Sequence, residues 1–455
     1  MAAGSLALLQ VAALLGFAAV PALAQASQSQ PIRFPQAQYE PVDWTDLDGW
    51  AGDDHAAAFA AFLQSCRALN ADRQPATGPA TAKIATALKQ VCARGLAAAP
   101  LEENAARKFF EHSFRPLRIN KLGGTDGFLT GYYEPIIDGS RVPTAEFSAP
   151  LYRRPPDLVV SGRRPLGDVF PSKGVTVGRR VGRRETVPYY DRAAIEDGAL
   201  NGRHLEICWL RSQTDVLFAQ IQGSARIKLR DGTILRVNYD SHNGWPYTAV
   251  GRVLVARNIM PKSEVTMQRI CEWMEANPEQ AKDVRRQNKS YVFFRVVRLN
   301  AKDEAIGGGG VPLVPGRSIA IDRSFHAYGT PFFITADLPI ADDKPVTKFR
   351  RLVFAQDTGS AIVGPARADI FFGAGDEAAR IAGRIRNPGE FVILLPRALD
   401  PVAAARNIPL PPERPRVLAQ FNVRTAVEST VHDVPLPQVK PVVASDAQPK
   451  IGRKP

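Results

Sequence analysis

The chain has 455 residues, and 45% of them are hydrophobic, enough for two or three domains with buried cores. Charged residues make up 23%, an ordinary fraction that argues against wholesale disorder and against a protein with many membrane spans. Lysine and arginine outnumber aspartate and glutamate by 58 to 45, so the formal charge is +13. The 35 glycines and 37 prolines indicate many turns and favour β-structure.

The N-terminal segment is typical of a secretory signal. Residues 1–24 carry no charged side chain and end in Pro21-Ala22-Leu23-Ala24, which predicts cleavage after Ala24, with an uncleaved membrane anchor as the alternative. No later segment reaches the roughly 18 apolar residues of a membrane-spanning helix. We therefore expect a periplasmic protein without a stable transmembrane segment. No outer-membrane lipid anchor is expected, because no cysteine ends the signal.

Helices are predicted in the N-terminal part. Apolar residues recur at helical spacing between Asp53, a possible cap, and Asn70, and further helices are predicted at about 81–94 and 102–112. Cys66 and Cys92 fall on two of these helices, as either a disulfide or two buried thiols. Cys208 and Cys271 are interpreted as core thiols.

The texture changes to short β-branched and aromatic runs from Phe128 onward. Asp231-Gly232 predicts a hairpin within residues 226–237, and a helix is expected at about 263–287. Further strands are predicted at 291–297, 318–322, 331–335, 351–355, 370–372 and 391–395. The fold class is therefore α+β, mainly β, with a barrel-like component.

Two stretches depart from this pattern. Residues 153–184 hold nine lysines or arginines, and residues 398–455 hold ten prolines and are expected to be disordered or extended. The basic stretch is either a solvated loop or a surface that attracts acidic groups. Nucleic-acid binding is not favoured, because the arginines lack interleaved aromatic residues and the chain carries an export signal.

Several catalytic motifs are missing from the sequence. It contains neither His-Glu-x-x-His nor Gly-x-Ser-x-Gly, which disfavours zinc and serine hydrolases. The glycine run 307–310 precedes Val-Pro and is interpreted as a loop rather than a phosphate-binding site. We predict no metal and no cofactor.

Three aspartates carry the positive signal: Asp322, Asp357 and Asp369 each end a predicted strand or adjoin a glycine-rich turn. Converging acids raise one another's pKa, and a carboxyl that keeps its proton can cleave a glycosidic bond. Taken alone, a buried aspartate beside a glycine turn more often accepts backbone hydrogen bonds. Asp357-Thr358-Gly359 also matches the aspartic protease tripeptide, but no second copy exists in the chain to complete that site.

These aspartates stand in segments that closely resemble the three-aspartate domain of the membrane-bound lytic murein transglycosylase A family. The matching residues are Pro315-Gly316-Arg317-Ser318, Asp322, Asp357-Thr358-Gly359, Ala361-Ile362, Gly364, Asp369, Gly373 and Gly375-Asp376-Glu377-Ala378. Upstream segments match in order at 130–135, 150–153, 220–224, 243–244, 246–247 and 290–294. Departures at Ala225, Trp245, Lys289 and Ser360 concern loops and subsites, whereas the missing lipidation cysteine questions the membrane attachment.

The resemblance implies a double-psi β-barrel domain formed by residues 25–134 and 299–397, with an N-terminal helical layer. A second β domain, residues 135–298, would be inserted into it and leave a groove between the two, after a signal at 1–24 and before a tail at 398–455. A non-catalytic polysaccharide-binding barrel is the alternative.

The implied activity is that of a peptidoglycan lytic exotransglycosylase, which cuts the β-1,4 bond between N-acetylmuramic acid and N-acetylglucosamine and leaves a 1,6-anhydro sugar. Asp369 aligns with the single general acid that then acts as base, with Asp357 and Asp322 as supporting acids. The implied partners are peptidoglycan strands and, further, cell-wall synthesis or division proteins. The implied sugar-binding residues are Thr130, Tyr132, Tyr133, Gln220, Gln222, Gly223 and Ser224.

Overall fold

The computed structural model describes residues 32–34, 37–71, 77–121, 127–162, 175–182, 185–300, 302–341 and 345–406. The predicted signal and most of the proline-rich tail lie outside these residues. The helices are α1 His55–Asn70, α2 Pro79–Ala98, α3 Glu103–Ser113, α4 Arg192–Glu196, α5 Gln213–Gln222, α6 Val250–Ala256, α7 Met267–Ala276, α8 Pro278–Arg286, α9 Gly375–Arg384 and α10 Pro401–Arg406.

The strands are β1 Ile32–Phe34, β2 Ala37–Pro41, β3 Phe114–Lys121, β4 Gly127–Glu134, β5 Ile136–Ser140, β6 Ala149–Tyr152, β7 Leu158–Gly162, β8 Val175–Val181, β9 Glu185–Val187, β10 Glu206–Leu210, β11 Ser224–Leu229, β12 Ile234–His242, β13 Val292–Val296, β14 Ser318–Ile321, β15 Pro331–Leu338, β16 Thr347–Thr358, β17 Arg367–Ala374 and β18 Arg386–Pro396. Among the described residues, no helix is both long and apolar enough to cross a membrane.

A closed barrel forms the centre of the fold. Its strands pair in the order β18-β15-β16-β14-β17-β4, and β18 also pairs with β4, which closes the ring. Alternate residues face opposite sides, as the two-residue period of a strand requires. Phe332 and Ile334 belong to one apolar core, whereas Phe333 between them packs with the helical layer. The predicted α+β, mainly β class is confirmed.

The helical layer, α1 to α3, covers one side of the barrel, and rings of Phe62 and Phe110 pack against Phe354 of β16. The expected cap of the first helix was wrong by one residue. The Asp54 carboxylate accepts the Ala57 amide at 2.9 Å, whereas Asp53 is buried and accepts Arg317 Nη1 at 2.7 Å. A disulfide joins Cys66 to Cys92 across α1 and α2.

A second sheet lies between β4 and β14 in the chain, with the strand order β13-β12-β11-β5-β10-β6. We call it the insert sheet. The predicted hairpin is confirmed as β11 and β12, with Gly232 of its turn at a φ of 81°. The prediction of a single helix at 263–287 was wrong, because this segment contains two helices. The segment divides into α7 and α8 at Pro278, which cannot donate a backbone hydrogen bond and therefore starts a new helix.

The insert sheet is held against the end of β4 by a buried ion-pair cluster. The fully buried Glu134 accepts Arg226 Nε at 2.7 Å and Arg236 Nη2 at 3.0 Å. The Tyr133 amide, one residue earlier, donates to Gln222 Oε1 at 3.0 Å. The position of β4 therefore fixes the insert residues that face the barrel.

The tail was expected to lose regular structure from residue 398, and that boundary was too early. Helix α10 runs from Pro401 to Arg406 because proline suits the first helical position and the Asp400 carboxylate accepts the Val402 amide at 2.9 Å. Residues 407–455 lie outside the described part of the chain.

Candidate active site

A row of side chains crosses neighbouring barrel strands. The parallel pairing of β4 with β17 sets Thr130 opposite Asp369, and the antiparallel pairing of β14 with β17 sets Ala320 opposite Asp369. On the far side of β14, Ala320 pairs with Asp357 of β16. Strands lie about 4.8 Å apart, so the backbones of Asp357 and Asp369 are roughly 10 Å apart. The side chain between them in this row is the methyl group of Ala320.

Asp369 is half-buried in this row. Its Oδ1 accepts the Thr130 hydroxyl at 2.6 Å. Burial raises the pKa of Asp369 from 3.8 to about 6, and the Asp357 charge adds to that rise, whereas Arg367 and the Thr130 hydrogen bond oppose it. A carboxyl with this pKa exchanges its proton near neutral pH, as general acid catalysis requires.

Asp357 has a different hydrogen-bonding environment. Its Oδ1 accepts the amides of Gly308 at 2.7 Å and Thr358 at 2.8 Å, and its Oδ2 accepts the Tyr132 hydroxyl at 2.8 Å. Burial raises the pKa of Asp357, and these donors oppose the rise. Both oxygens are therefore occupied by the protein itself, which suits a structural and electrostatic role.

The glycine run 307–310 wraps around Asp357. A Cβ at Gly308 would lie 2.4 Å from the Tyr328 hydroxyl and 3.2 Å from Asp357 Oδ1. Only a residue without a side chain fits there, so that the Gly308 amide can reach the carboxylate. The run is a loop, as expected, and it positions an acid of the site.

Asp322 follows β14 and is buried. Its Oδ1 accepts the amide and hydroxyl of Ser324, and its Oδ2 accepts the Gly364 amide at 2.9 Å. Gly364 ends the loop 359–364, part of which lines the space beside Asp369. Asp322 therefore holds a wall of the site in place.

The cleft beside Asp369 has a volume of about 140 Å³. Its barrel wall includes Tyr132, Ala320, Asp357, Asp369 and residues 358–362. The opposite wall, which we call the insert wall, comes from the insert sheet and the helices and loops next to it in the chain. Its residues are Arg192, Gln220, Ile221, Gln222, Tyr247, Asn288, Ser290 and Val292.

The insert wall is built on the fully buried Arg192. Its Nη2 donates to Gln220 Oε1 and to the Ser290 carbonyl, both at 2.6 Å, and Gln220 Nε2 donates to the Val292 carbonyl at 3.0 Å. Burial raises the pKa of Tyr247, and the Asp369 charge raises it further, so the phenol stays protonated. Its hydroxyl has no hydrogen-bond partner among the described residues.

Comparisons of sequence and of structure with known proteins both identify similarity to lytic murein transglycosylases. A family model described as the MltA specific insert domain matches residues 128–295, and the 3D domain model matches residues 317–395. Membrane-bound lytic murein transglycosylase A of Escherichia coli K12 is 31% identical over 285 residues, which cover 60% of this chain and 68% of the relative.

Solved structures extend the likeness. The membrane-bound lytic murein transglycosylase from Agrobacterium tumefaciens is 36% identical, has a TM-score of 0.70 and covers 81% of this chain and 99% of that chain. Escherichia coli MltA with bound chitohexaose is 25% identical, with a TM-score of 0.54 and coverage of 81% and 94%. The chain belongs to the membrane-bound lytic murein transglycosylase A family. It is accordingly an enzyme of the lytic transglycosylase class.

The sugar-binding residues implied by the family resemblance occupy two kinds of position. Tyr132, Gln220 and Gln222 line the cleft. Thr130 bonds to Asp369, whereas the Gly223 carbonyl, at the end of α5, accepts the Tyr239 amide at 2.7 Å. Tyr133 and Ser224 are not among the lining residues. Of the lining amides, Gln222 Nε2 has no hydrogen-bond partner in the described part of the chain.

Sequence reasoning passed over cleft residues that this family member contributes from its insert. Tyr247 stands in a matched segment without an assigned role, and Arg192 had no signal beyond its being an arginine in a basic protein. Arg367 went unnoticed although it lies two residues before Asp369. Its importance follows from its contact with Thr130, which is 237 residues away in sequence.

Proposed function

We propose that this enzyme cleaves the β-1,4 bond between N-acetylmuramic acid and N-acetylglucosamine in peptidoglycan and forms 1,6-anhydro-N-acetylmuramic acid, with Asp369 as the only acid and base. The observation that supports it best is the unequal occupation of two carboxyls. Asp369 Oδ2 accepts no hydrogen bond in the described part of the chain, whereas both oxygens of Asp357 accept protein donors.

This inequality bears on the type of glycosidic cleavage. A hydrolase that retains or inverts the anomeric centre uses a second carboxylate as nucleophile or base. Asp357 is the other carboxyl of the cleft wall, and the Gly308 and Thr358 amides and the Tyr132 hydroxyl already hold it. A nucleophile within the substrate needs no second carboxylate.

The proposed reaction uses one carboxyl twice. Protonated Asp369 donates its proton to the glycosidic oxygen as the bond from that oxygen to C1 of the muramic residue breaks. The C6 hydroxyl of the same residue attacks C1, and its proton passes to the Asp369 carboxylate. The aspartic acid is thereby regenerated, and no water molecule is consumed.

The opposite wall of the cleft would bind the glycan. Gln222 Nε2 and the Tyr247 hydroxyl are donors without a protein partner among the described residues, and both line the cleft with Asp369. They are suited to the acetamido and hydroxyl oxygens of amino sugars. A related enzyme with bound chitohexaose, a linear amino-sugar oligomer, supports this assignment.

The proposal extends to organisation and location. Residues 25–134 with 299–397, and residues 135–298, would act as two domains that enclose one glycan strand, in the periplasm, where peptidoglycan lies.

Mass spectrometry of products from purified sacculi tests the function. We expect muropeptides lighter than hydrolysis products by the mass of one water, and none from Asp369→Asn, which should still bind sacculi. Reducing-end products would show a hydrolase instead. Turnover by Asp369→Asn at the parent's rate would remove Asp369 from the reaction.

A further inference from the structure

Asp369 accepts the last hydrogen bond of a chain that runs from Arg367 through Thr130, and we call this chain the positioning line. Arg367 Nη2 donates to Thr130 Oγ1 at 2.7 Å, and Thr130 Oγ1 contacts Asp369 Oδ1 at 2.6 Å. The Arg367 guanidinium also lies 5.5 Å from the centre of the Phe128 ring and donates to the Ala368 carbonyl. Its orientation is therefore fixed from several sides.

The direction of each hydrogen bond follows from chemistry. A guanidinium only donates, so the Thr130 oxygen must accept from Arg367. The hydroxyl has a single proton, and Asp369 Oδ1 is the one acceptor that it has among the described residues, so the proton is directed there. Because Oδ1 accepts in this line, it cannot point a proton of its own at Thr130. A protonated Asp369 therefore carries its proton on Oδ2.

We propose that Thr130 and Arg367 are positioning residues that assign the exchangeable proton of Asp369 to Oδ2, the oxygen left free for the substrate. This inference rests on the proposed role of Asp369 as general acid. It gives Thr130 a role other than the sugar contact that the family resemblance implied. Without Arg367, the Thr130 hydroxyl could turn and accept a proton from Oδ1, which would leave the acid facing away from the glycosidic oxygen.

Other charged and titratable groups also act on Asp369. Asp357 on β16 raises the pKa of Asp369, and Arg367 on its own strand lowers it. Burial raises the pKa values of Tyr132 on β4 and Tyr247 on the insert wall, and the Asp369 charge raises both further. Both phenols are neutral near pH 7 and therefore add no charge beside Asp369. Arg367 and the Thr130 hydrogen bond oppose the raised pKa of Asp369, so breaking either contact should raise that pKa further.

The test compares kcat and KM across pH for Thr130→Val, Thr130→Ser and Arg367→Met on soluble glycan strands. The reaction needs protonated Asp369, so the rate falls as pH rises through the pKa of that group. Loss of the Thr130 hydrogen bond or of the Arg367 charge raises this pKa, so the alkaline limb should move to higher pH. On the acidic plateau kcat should fall roughly tenfold, the factor that one lost hydrogen bond provides.

The remaining variants separate positioning from other roles. Thr130→Ser keeps the hydroxyl and should retain the parent's profile. KM should change by less than about twofold in Thr130→Val and Arg367→Met, because neither residue would touch the sugar. Arg230→Met is the matched control, since Arg230 is an exposed arginine in the turn between β11 and β12, and it should leave the pH profile unchanged.

Distinct results would overturn this inference or the proposed function. A rise in KM with an unmoved alkaline limb would make Thr130 a sugar contact. A uniform loss of kcat with no shift in pH would make the line merely structural. If Thr130→Val does not fold, Arg367→Met gives the same decision. These results would leave the proposed function standing, whereas an active Asp369→Asn would end both.

Discussion

Asp369→Asn should stabilise the fold at neutral pH while it abolishes cleavage. The pKa of Asp369 rises from 3.8 to about 6 on folding because burial disfavours the charged carboxylate. The folded protein therefore binds the proton more tightly than the unfolded chain, and stability falls as pH rises from about 4 to 6. Each tenfold in proton affinity is worth about 1.4 kcal/mol, so the full cost above pH 7 is about 3 kcal/mol.

Asparagine keeps the shape of the side chain, can still accept the Thr130 hydroxyl and has no charge to bury. Urea unfolding of the parent and Asp369→Asn would measure the difference. We expect Asp369→Asn to be more stable by up to about 3 kcal/mol at pH 7.5, by about half of that at pH 5, and by only about 0.5 kcal/mol near pH 4. Glu185→Gln, at an exposed carboxyl on β9, is the matched control and should show no comparable gain.

The pH dependence of the gain is the decisive result. A gain of the same size at every pH would come from packing and not from the removed charge. No gain at pH 7.5 would mean that the carboxylate is well solvated in the folded protein, and the argument for a raised pKa would then be wrong. A gain that depends on pH would mean that the fold keeps an acid where an amide is more stable, as expected when activity needs a destabilising group.

Further outcomes follow from single contacts. Asp357→Ala should lower the melting temperature as well as activity, because unpaired backbone and phenol donors cost about 1–3 kcal/mol; an unchanged melting temperature would contradict its structural role. Tyr247→Phe should raise KM severalfold with little change in kcat, and an equal fall in kcat would place the phenol at the reacting bond instead. Replacing Cys66 and Cys92 together by alanine should cost about 3 kcal/mol of unfolding free energy, since the bridge closes a loop of 26 residues; urea unfolding measures it, and no loss would mean that packing alone holds the helices.

Local patterns in the sequence predicted the elements better than their bounds. The predicted strands at 351–355 and 370–372 were found within the longer β16 and β17. Helix α5 was missed although Ser212 and Asp215 form a capping box at its start, because the residues that follow are nearly all apolar or amide and show little amphipathic contrast. Such a helix is buried by tertiary contacts, which periodicity does not reveal.

The geometry of the site depends on strand register, which the sequence did not supply. Thr130 and Asp369 are 239 residues apart, and they meet only because β4 closes the barrel against β17. A shift of one residue in that pairing would turn every side chain of the strand to the other face. Motif order indicated which acids matter, but not which donors each acid would meet.

Those hydrogen-bond donors distinguish the two carboxyls of the row, one suited to proton transfer and the other to a structural role. Burial raises the pKa of both Asp369 and Asp357, so burial alone would make either a plausible acid. Asp357 Oδ1 already accepts the Gly308 and Thr358 amides, so a proton there would displace one of them, and a proton on Oδ2 would weaken that oxygen as acceptor for the Tyr132 hydroxyl. Among the described residues, Asp369 accepts one hydrogen bond, at Oδ1. A proton can therefore enter and leave Asp369 at Oδ2 without breaking a hydrogen bond of the described residues, and that freedom, more than the value of its pKa, suits Asp369 to the proposed role of giving and recovering a proton in each turnover.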